Sequence, residues 1–211
     1  MHSHDPTIKH NTRIPGWGNM DILNVLGALA RDVPDFGVII ELGGLFGRST
    51  YTLGCNKKDS VHLMTIDIWP TMNLDEVGAV HDNQGGPEEI ALLNSKISGS
   101  PRMIDGKDFF GLWSEFTKDL INHYGIKAHT NLNNDAFPMA DLIYHDASHT
   151  HDGVYADLIH WFPKLKQNGV MIIDDYESNW PGVITAVDQY VKENNLHSEM
   201  VTNRNIMIRR K

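Results

Sequence analysis

Between Val38 and Thr50 the chain runs Val-Ile-Ile-Glu-Leu-Gly-Gly-Leu-Phe-Gly-Arg-Ser-Thr, and this stretch narrows the fold more than any other. A short β-branched run closes on an acid, glycines follow, and then come residues suited to the start of a helix. Strand, tight turn and helix N-terminus in that order are how an α/β sheet makes room for a nucleotide-like ligand, because the free N–H groups of the first helical turn face it. Gly43 and Gly47 let the backbone come closer to a ligand than any Cβ permits. Ser49 and Thr50 add hydroxyls beside that turn, and Glu41 can accept from a ligand hydroxyl or amine. A dinucleotide-binding G-x-G-x-x-G would need glycines at 43, 45 and 48, where this chain has Leu45 and Arg48 at the last two.

Alternating strands and helices continue to the C-terminus. Met20 to Arg31 has apolar residues at helical spacing, with Asp21 near the start and Pro34 beyond the end. Val38 to Leu42 is the first strand, Arg48 to Gly54 a short helix, and Val61 to Ile68 a second strand ending around Asp67. Phe109 to Tyr124 is predicted as one amphipathic helix, followed by a short third strand over Ile126 to Thr130. Ala140 to His145 is a strand ending at Asp146, and Val154 to Leu165 a helix. Lys166 to Gly169 makes a turn into the strand Val170 to Ile173, and Gly182 to Asn194 is a helix. Glu199 to Val201 and Asn205 to Arg209 form a closing antiparallel pair. Strands separated by helices imply a mostly parallel sheet with right-handed crossovers, here in a single domain spanning residues 1–211. Pro70 to Lys107 breaks the pattern with Gly85-Gly86-Pro87, Gly99, Pro101 and Gly106, and holds at most a short helix over Glu88 to Ile97. Ordering so long a polar connection costs entropy that contacts must offset. It is therefore expected to be a lid or substrate-binding insertion, or a contact within a homo-oligomer.

A formal charge of −9 disfavours nonspecific binding to nucleic acid or to an anionic membrane. The lone Cys55 rules out an intrachain disulfide and suits a reducing compartment. No apolar run approaches the length of a membrane span, and the polar stretch from Met1 to Arg13 does not resemble a signal peptide. A cytoplasmic protein is expected.

A second constellation follows the fourth and fifth predicted strands: Asp141-Leu142-Ile143-Tyr144-His145-Asp146-Ala147-Ser148-His149, then Ile172-Ile173-Asp174-Asp175. Ligands of an open parallel sheet sit beyond the carboxyl ends of its strands. Glu41, Asp67, Asp146, Asp174 and Asp175 all fall at such ends, so one rim gathers five carboxylates that repel unless neutralised. Mg²⁺, which prefers carboxylate oxygens and keeps positions for water or substrate, would do so. His149 stands three residues past Asp146, where an imidazole near neutral pKa can take a proton from a metal-bound hydroxyl.

The spacing Glu41-x-Gly43-x-x-x-Gly47 resembles motif I of the class I S-adenosylmethionine-dependent methyltransferases. Asp141 to Thr150 and Gly169 to Tyr176 resemble the metal-dependent members of that class, above all the macrolide-sugar O-methyltransferases and the cephalosporin-biosynthesis methyltransferase-like proteins. Pro15-Gly16-Trp17 and the helix containing Gly182-Val183 and Ala186-Val187-Asp188 are similar as well, so the likeness spans Pro15 to Arg209. It implies a Rossmann-like sheet of seven strands, the last antiparallel, with helices on both faces. It implies S-adenosylmethionine bound by Glu41, Gly43, Gly47, Ser49 and Asp67, with Ile68 alongside, Asp67 on the ribose, and Asn134 or Asp135 near the adenine. It implies Mg²⁺ on Asp146, Asp174 and Asp175, His149 as general base, and a small-molecule hydroxyl, sugar or phenol-like, as methyl acceptor. Two departures stand out: His145-Asp146-Ala147 replaces the family's Ile-Asp-Gly, and the 70–107 insertion has no counterpart.

Plainer readings compete. Asp146 and Asp174 can cap turns or helices, His149 can be a surface residue, and Trp17, Trp69 and Trp180 can wall a pocket or merely pack. Cys55 suits a small buried apolar site. His145, His149, His151 and His160 suggest a zinc site or an iron oxygenase site, and a protein of the same fold can bind S-adenosylmethionine or a nucleotide without catalysis. Without a G-x-S-x-G elbow, Ser148-His149 does not indicate a hydrolase.

Overall fold

A reversal in the winding of the sheet places the site. The computed structural model describes residues 5–14, 16, 18–69 and 109–210; the expected insertion with its short helix, as well as Pro15 and Trp17, lies outside the described residues. The elements are α1 (Met20–Asp32), β1 (Val38–Leu42), α2 (Arg48–Asn56), β2 (His62–Asp67), α3 (Phe109–Thr117), β3 (His123–Lys127), β4 (Ala140–His145), α4 (His151–Trp161), β5 (Leu165–Ile173), α5 (Pro181–Glu193), β6 (Ser198–Met200) and β7 (Ile206–Arg209). The strand order is β3-β2-β1-β4-β5-β7-β6. Strands β1 to β5 pair in parallel, and β7 runs antiparallel to both β5 and β6. The chain winds outward from β1 through β2 to β3, then returns to the other side of β1 to lay down β4. Connections leave β1 and β4 in opposite directions, and the crevice this opens at their carboxyl ends is the usual ligand position of such a sheet.

Burial follows the pleat. Every residue of β1 is buried, as a parallel strand between two neighbours requires. Val38, Ile40 and Leu42 face a core shared with Val154, Leu158 and Trp161 of α4 and Val183, Ala186 and Val187 of α5. Ile39, Leu142 and Tyr144 face the opposite core, with Ile22, Val25 and Leu26 of α1 and Leu53 of α2. By the same alternation Glu41 points to the α2 side and His145 to the α4 side. Helix α1 is capped by Asn19, whose side chain accepts from the N–H groups of Asp21 and Ile22. Thr150 caps α4 by accepting from Gly153 N–H, and α5 opens with Pro181.

Several boundaries differ from the sequence expectation. The helix expected over Phe109 to Tyr124 stops at Thr117, and the third strand occupies His123–Lys127 rather than Ile126 to Thr130. Asn122 turns the chain at φ 50°, and Gly125 then passes so close to α3 that a Cβ there would sit 2.5 Å from the Trp113 ring. Helix α4 begins three residues before Val154, at His151, and gives way to a 3₁₀ turn at Phe162–Lys164. The turn at Lys166 to Gly169 lies inside β5 as an irregularity, with Ala140 opposite Leu165 but Leu142 opposite Val170. Cys55 is half-buried on α2, not enclosed. No described helix is long and apolar enough to cross a membrane.

His145 enters the α4 core and meets Asp157, with Nε2 at 2.9 Å from Oδ2 and both side chains at most 5% exposed. Removing one partner leaves the other desolvated and unpaired. Asp157→Ala should therefore lower stability by about 2 kcal/mol or more, measured by urea unfolding, while Asp157→Asn, which keeps a hydrogen-bonding group, should lose less.

Candidate active site

The turn after β1 is held by its own chain. Gly43 and Gly47 lie at φ 92° and 93°, in the left-handed region that favours glycine. A Cβ on Gly43 would fall 1.9 Å from the carbonyl oxygen of Asp146, and one on Gly47 would fall 2.9 Å from Thr117 Cγ2. Packing against β4 and α3 thus demands both glycines, beyond any approach of a ligand. Asp67, expected at a ribose, anchors this turn: Oδ2 accepts from Gly44 N–H (2.8 Å) and Leu45 N–H (2.9 Å), and Oδ1 from Trp69 N–H (2.7 Å). Ile68 and Ser49 are half-buried alongside. Beneath the turn, Trp69 donates from Nε1 to Leu45 O and packs on Trp113 and Phe110 with ring centroids 4.9 Å apart in each pair. Trp69 is thus part of a core rather than a pocket wall.

Glu41 is fully buried at the end of β1. Its Oε2 accepts from Thr50 (2.5 Å) and from Thr65 (2.7 Å), the residue opposite it on β2. Its Oε1 has no hydrogen-bond partner. Burial pushes the Glu41 carboxyl up to about 7, against the opposing pull of the Ser49, Thr50 and Thr65 hydroxyls.

At the ends of β4 and β5, Asp146, His149 and Asp175 converge, each offering an atom within 4.8 Å of the others. His149 donates from Nε2 to Asp175 Oδ2 (2.7 Å), and its ring stacks on Trp180 with centroids 4.3 Å apart. Asp175 is held at φ 58°, which turns its carboxylate toward His149. Asp174, expected as a metal ligand, is not part of this convergence. It accepts from Tyr144 OH (2.6 Å), Asn205 Nδ2 (2.6 Å) and Asp175 N–H (2.7 Å). Arg204 donates from Nη2 to Asp175 Oδ1 and approaches Asp174 Oδ1 at 3.4 Å from Nε. Desolvation, then repulsion from Asp174 and Asp175, holds the Asp146 carboxyl well above the usual range. The Asp174 carboxyl is raised by burial and by Asp175, with the Tyr144 and Arg204 contacts opposing.

The other histidines go elsewhere. His145 is in the core, His151 pairs with Asp152 and Gln189 at the surface, and His160 bonds Leu132 O. Asn134 donates to His160 O in the last turn of α4, the end remote from the β4 rim, and Asp135 is exposed beside it. The structure therefore does not bring Asn134 and Asp135 together with the other predicted residues. Tyr144, Trp180, Arg204 and Asn205 join the site without having been singled out for it as a set. The predicted closing strand pair was the available signal, since it returns the chain to the end of β5.

The donor set suits a divalent cation: two carboxylates and an imidazole face one point. An unpartnered buried oxygen of Glu41 beside a glycine turn suits a ligand with a cationic or hydroxyl group. The sequence profile of the methyltransferase-domain family matches residues 40–176, from β1 through the Asp174-Asp175 pair, and the chain belongs to that family. Its fold is that of the class I methyltransferases. The O-methyltransferase NovP superposes with a TM-score of 0.63 at 13% identity, covering 92% of this chain and 81% of its own. CalS11, a TDP-rhamnose 3'-O-methyltransferase of calicheamicin biosynthesis, gives 0.54 at 18% identity over 89% of this chain and 76% of its own. The SAH-bound methyltransferase PaMTH1 of Podospora anserina gives 0.55 at 15% identity over 92% and 80%. No curated protein sequence matches the chain.

The burial of Glu41 has a pH signature. Its protonated form suits the folded protein, so the stability it contributes is complete below the ordinary value of 4.5 and declines as pH rises toward about 7. At about 1.4 kcal/mol per pKa unit the decline totals about 3 kcal/mol. Glu41→Gln should remove that slope, so urea midpoints of variant and parent should move apart between pH 5 and pH 8, the parent falling relative to the variant.

Proposed function

We propose that this methyltransferase moves a methyl group from S-adenosylmethionine to a hydroxyl of a small molecule, sugar or phenol-like, with help from a divalent cation such as Mg²⁺. The observation that supports it best is the contact between Gly43 and Asp146, which gives the glycine turn and the carboxylate cluster a common wall. When bound, S-adenosylmethionine would supply the methyl group, its sulfur keeping the electron pair of the broken carbon–sulfur bond. Glu41, Gly43, Gly47, Ser49, Asp67 and Ile68 are the residues that would hold it. Asp67 has a structural share in this, because losing it frees the two N–H groups that shape the turn. Asn134, bonded to His160 O in the last turn of α4, and its neighbour Asp135 are left out of this reading.

On the acceptor side, Asp146 and Asp175 would hold Mg²⁺, which would orient the acceptor oxygen and lower the pKa of its hydroxyl. Asp174 stands behind them and fixes Asp175 through its backbone N–H. His149 takes the acceptor's proton, its ring set by Asp175 on one edge and Trp180 on one face. A second reading makes His149 the third metal ligand, favoured by its place within the 4.8 Å convergence. His149→Ala separates the two: transfer should fall about a hundredfold or more while metal binding persists if His149 is the base, and both are lost if it is a ligand. NovP and CalS11 are O-methyltransferases, which supports oxygen as the accepting atom.

Calorimetric titration of S-adenosylmethionine and S-adenosylhomocysteine, with Mg²⁺ and with chelator, tests the reading. Micromolar binding is expected, weakened about tenfold or more by Glu41→Ala and by Asp67→Ala. Failure to bind either molecule would refute it.

A further inference from the structure

Arg204 is built into the carboxylate cluster rather than laid over it. Its carbonyl accepts from Tyr176 N–H (2.9 Å) and its N–H donates to Thr202 Oγ1 (3.2 Å). Thr202 is itself bonded to Asn205 through its hydroxyl. Antiparallel pairing of β5 with β7 sets Ile173 opposite Ile206, so the residues just before β7 return beside those just after β5. Asn205 thereby reaches Asp174, and Arg204 spreads its guanidinium over Asp174, Asp175 and Glu177, the last at 3.8 Å. The Arg204 side chain keeps 24% of its surface exposed, so it lies at the edge of the cluster, in reach of solvent.

We propose that Arg204 is a resident counter-ion of this cluster and competes with a divalent cation for Asp175. The inference rests on the metal reading given above and adds that the β6–β7 turn sets the site's metal affinity. Asp175 has two oxygens, one committed to His149 and the other to Arg204. A cation that takes the second oxygen must displace the guanidinium and also meets its positive charge at close range. The arrangement offsets part of the cluster's charge without metal and lowers the site's affinity for a cation. Displaced, Arg204 would carry its charge toward solvent at the mouth of the acceptor side.

The test is direct binding of Mn²⁺ to the full-length protein, read from loss of the free-ion signal in electron paramagnetic resonance. Arg204→Gln should bind Mn²⁺ about tenfold or more tightly than the parent, and Arg204→Lys, which keeps the charge, should stay near the parent. Asp146→Asn in the Gln background should abolish the gain. Thermal unfolding without metal checks that each variant is folded. Equal affinity in parent and Arg204→Gln would overturn the role given to Arg204 while leaving the metal reading intact. No binding in either would overturn both, and the S-adenosylmethionine titration would still stand on its own. A gain that survives Asp146→Asn would place the ion elsewhere and overturn the proposal.

Discussion

Two stretches of backbone meet at the centre of the site, with no room for a side chain between them. β1 and β4 are neighbours with Leu42 opposite His145, so Gly43 and Asp146 leave the sheet side by side. Asp146 N–H donates to Leu42 O and Gly43 N–H to Ile66 O, each at 2.8 Å. Only hydrogen fits on the facing side of Gly43, where a Cβ would stand 1.9 Å from Asp146 O. The turn that starts α2 and the loop that leads to α4 are therefore tied together at the point where the winding reverses. Whatever binds against one is in reach of what binds against the other, and transfer between two small ligands requires that proximity.

That closeness gathers acids, and the chain neutralises each one differently. Glu41 is surrounded by hydroxyls and held near neutrality by burial. Asp67 spends its charge on three N–H groups of the turn and its flank. Asp174 is saturated by Tyr144, Asn205 and the next residue's N–H. Asp175 is divided between His149 and Arg204. Asp146 receives only a 3.3 Å contact from Tyr144 OH among the described residues. Of the five carboxylates on this rim, Asp67, Asp174 and Asp175 are thus tied up internally, whereas Glu41 keeps one unpartnered oxygen and Asp146 has a single long contact among the described residues.

How much of this the sequence discloses depends on what each feature encodes. β1 and β4 match their expected boundaries residue for residue, because both are buried along most of their length and mostly apolar, interrupted only by Glu41 in one and by Asp141 and His145 in the other. β3 is an edge strand reading His-Tyr-Gly-Ile-Lys, with no such run, and apolar spacing through Leu120 and Ile121 imitates another turn of α3. The tertiary contact of Gly125 with Trp113 decides the boundary, and no local pattern carries it. The rim acids were legible as a set because each ends a strand. Which of Asp174 and Asp175 converges with Asp146 and His149 was not, since it turns on a positive φ at Asp175 and on residues 29 or more positions later in the chain.

His145 shows how a departure from a family's pattern can leave a site untouched. It precedes Asp146 where the resembling enzymes carry an apolar residue, which raises the prospect of an imidazole crowding a metal. Alternation along β4 settles the matter, because Tyr144 and His145 must face opposite sides of the sheet. Tyr144 takes the side of Asp174, and His145 enters the core beneath α4, where Asp157 meets it at 2.9 Å. A polar residue in that core demands a polar partner, and α4 supplies one on its buried face. The change at position 145 is therefore matched by position 157 in the packing between sheet and helix, and the chemistry at Asp146 is left to its neighbours on the rim.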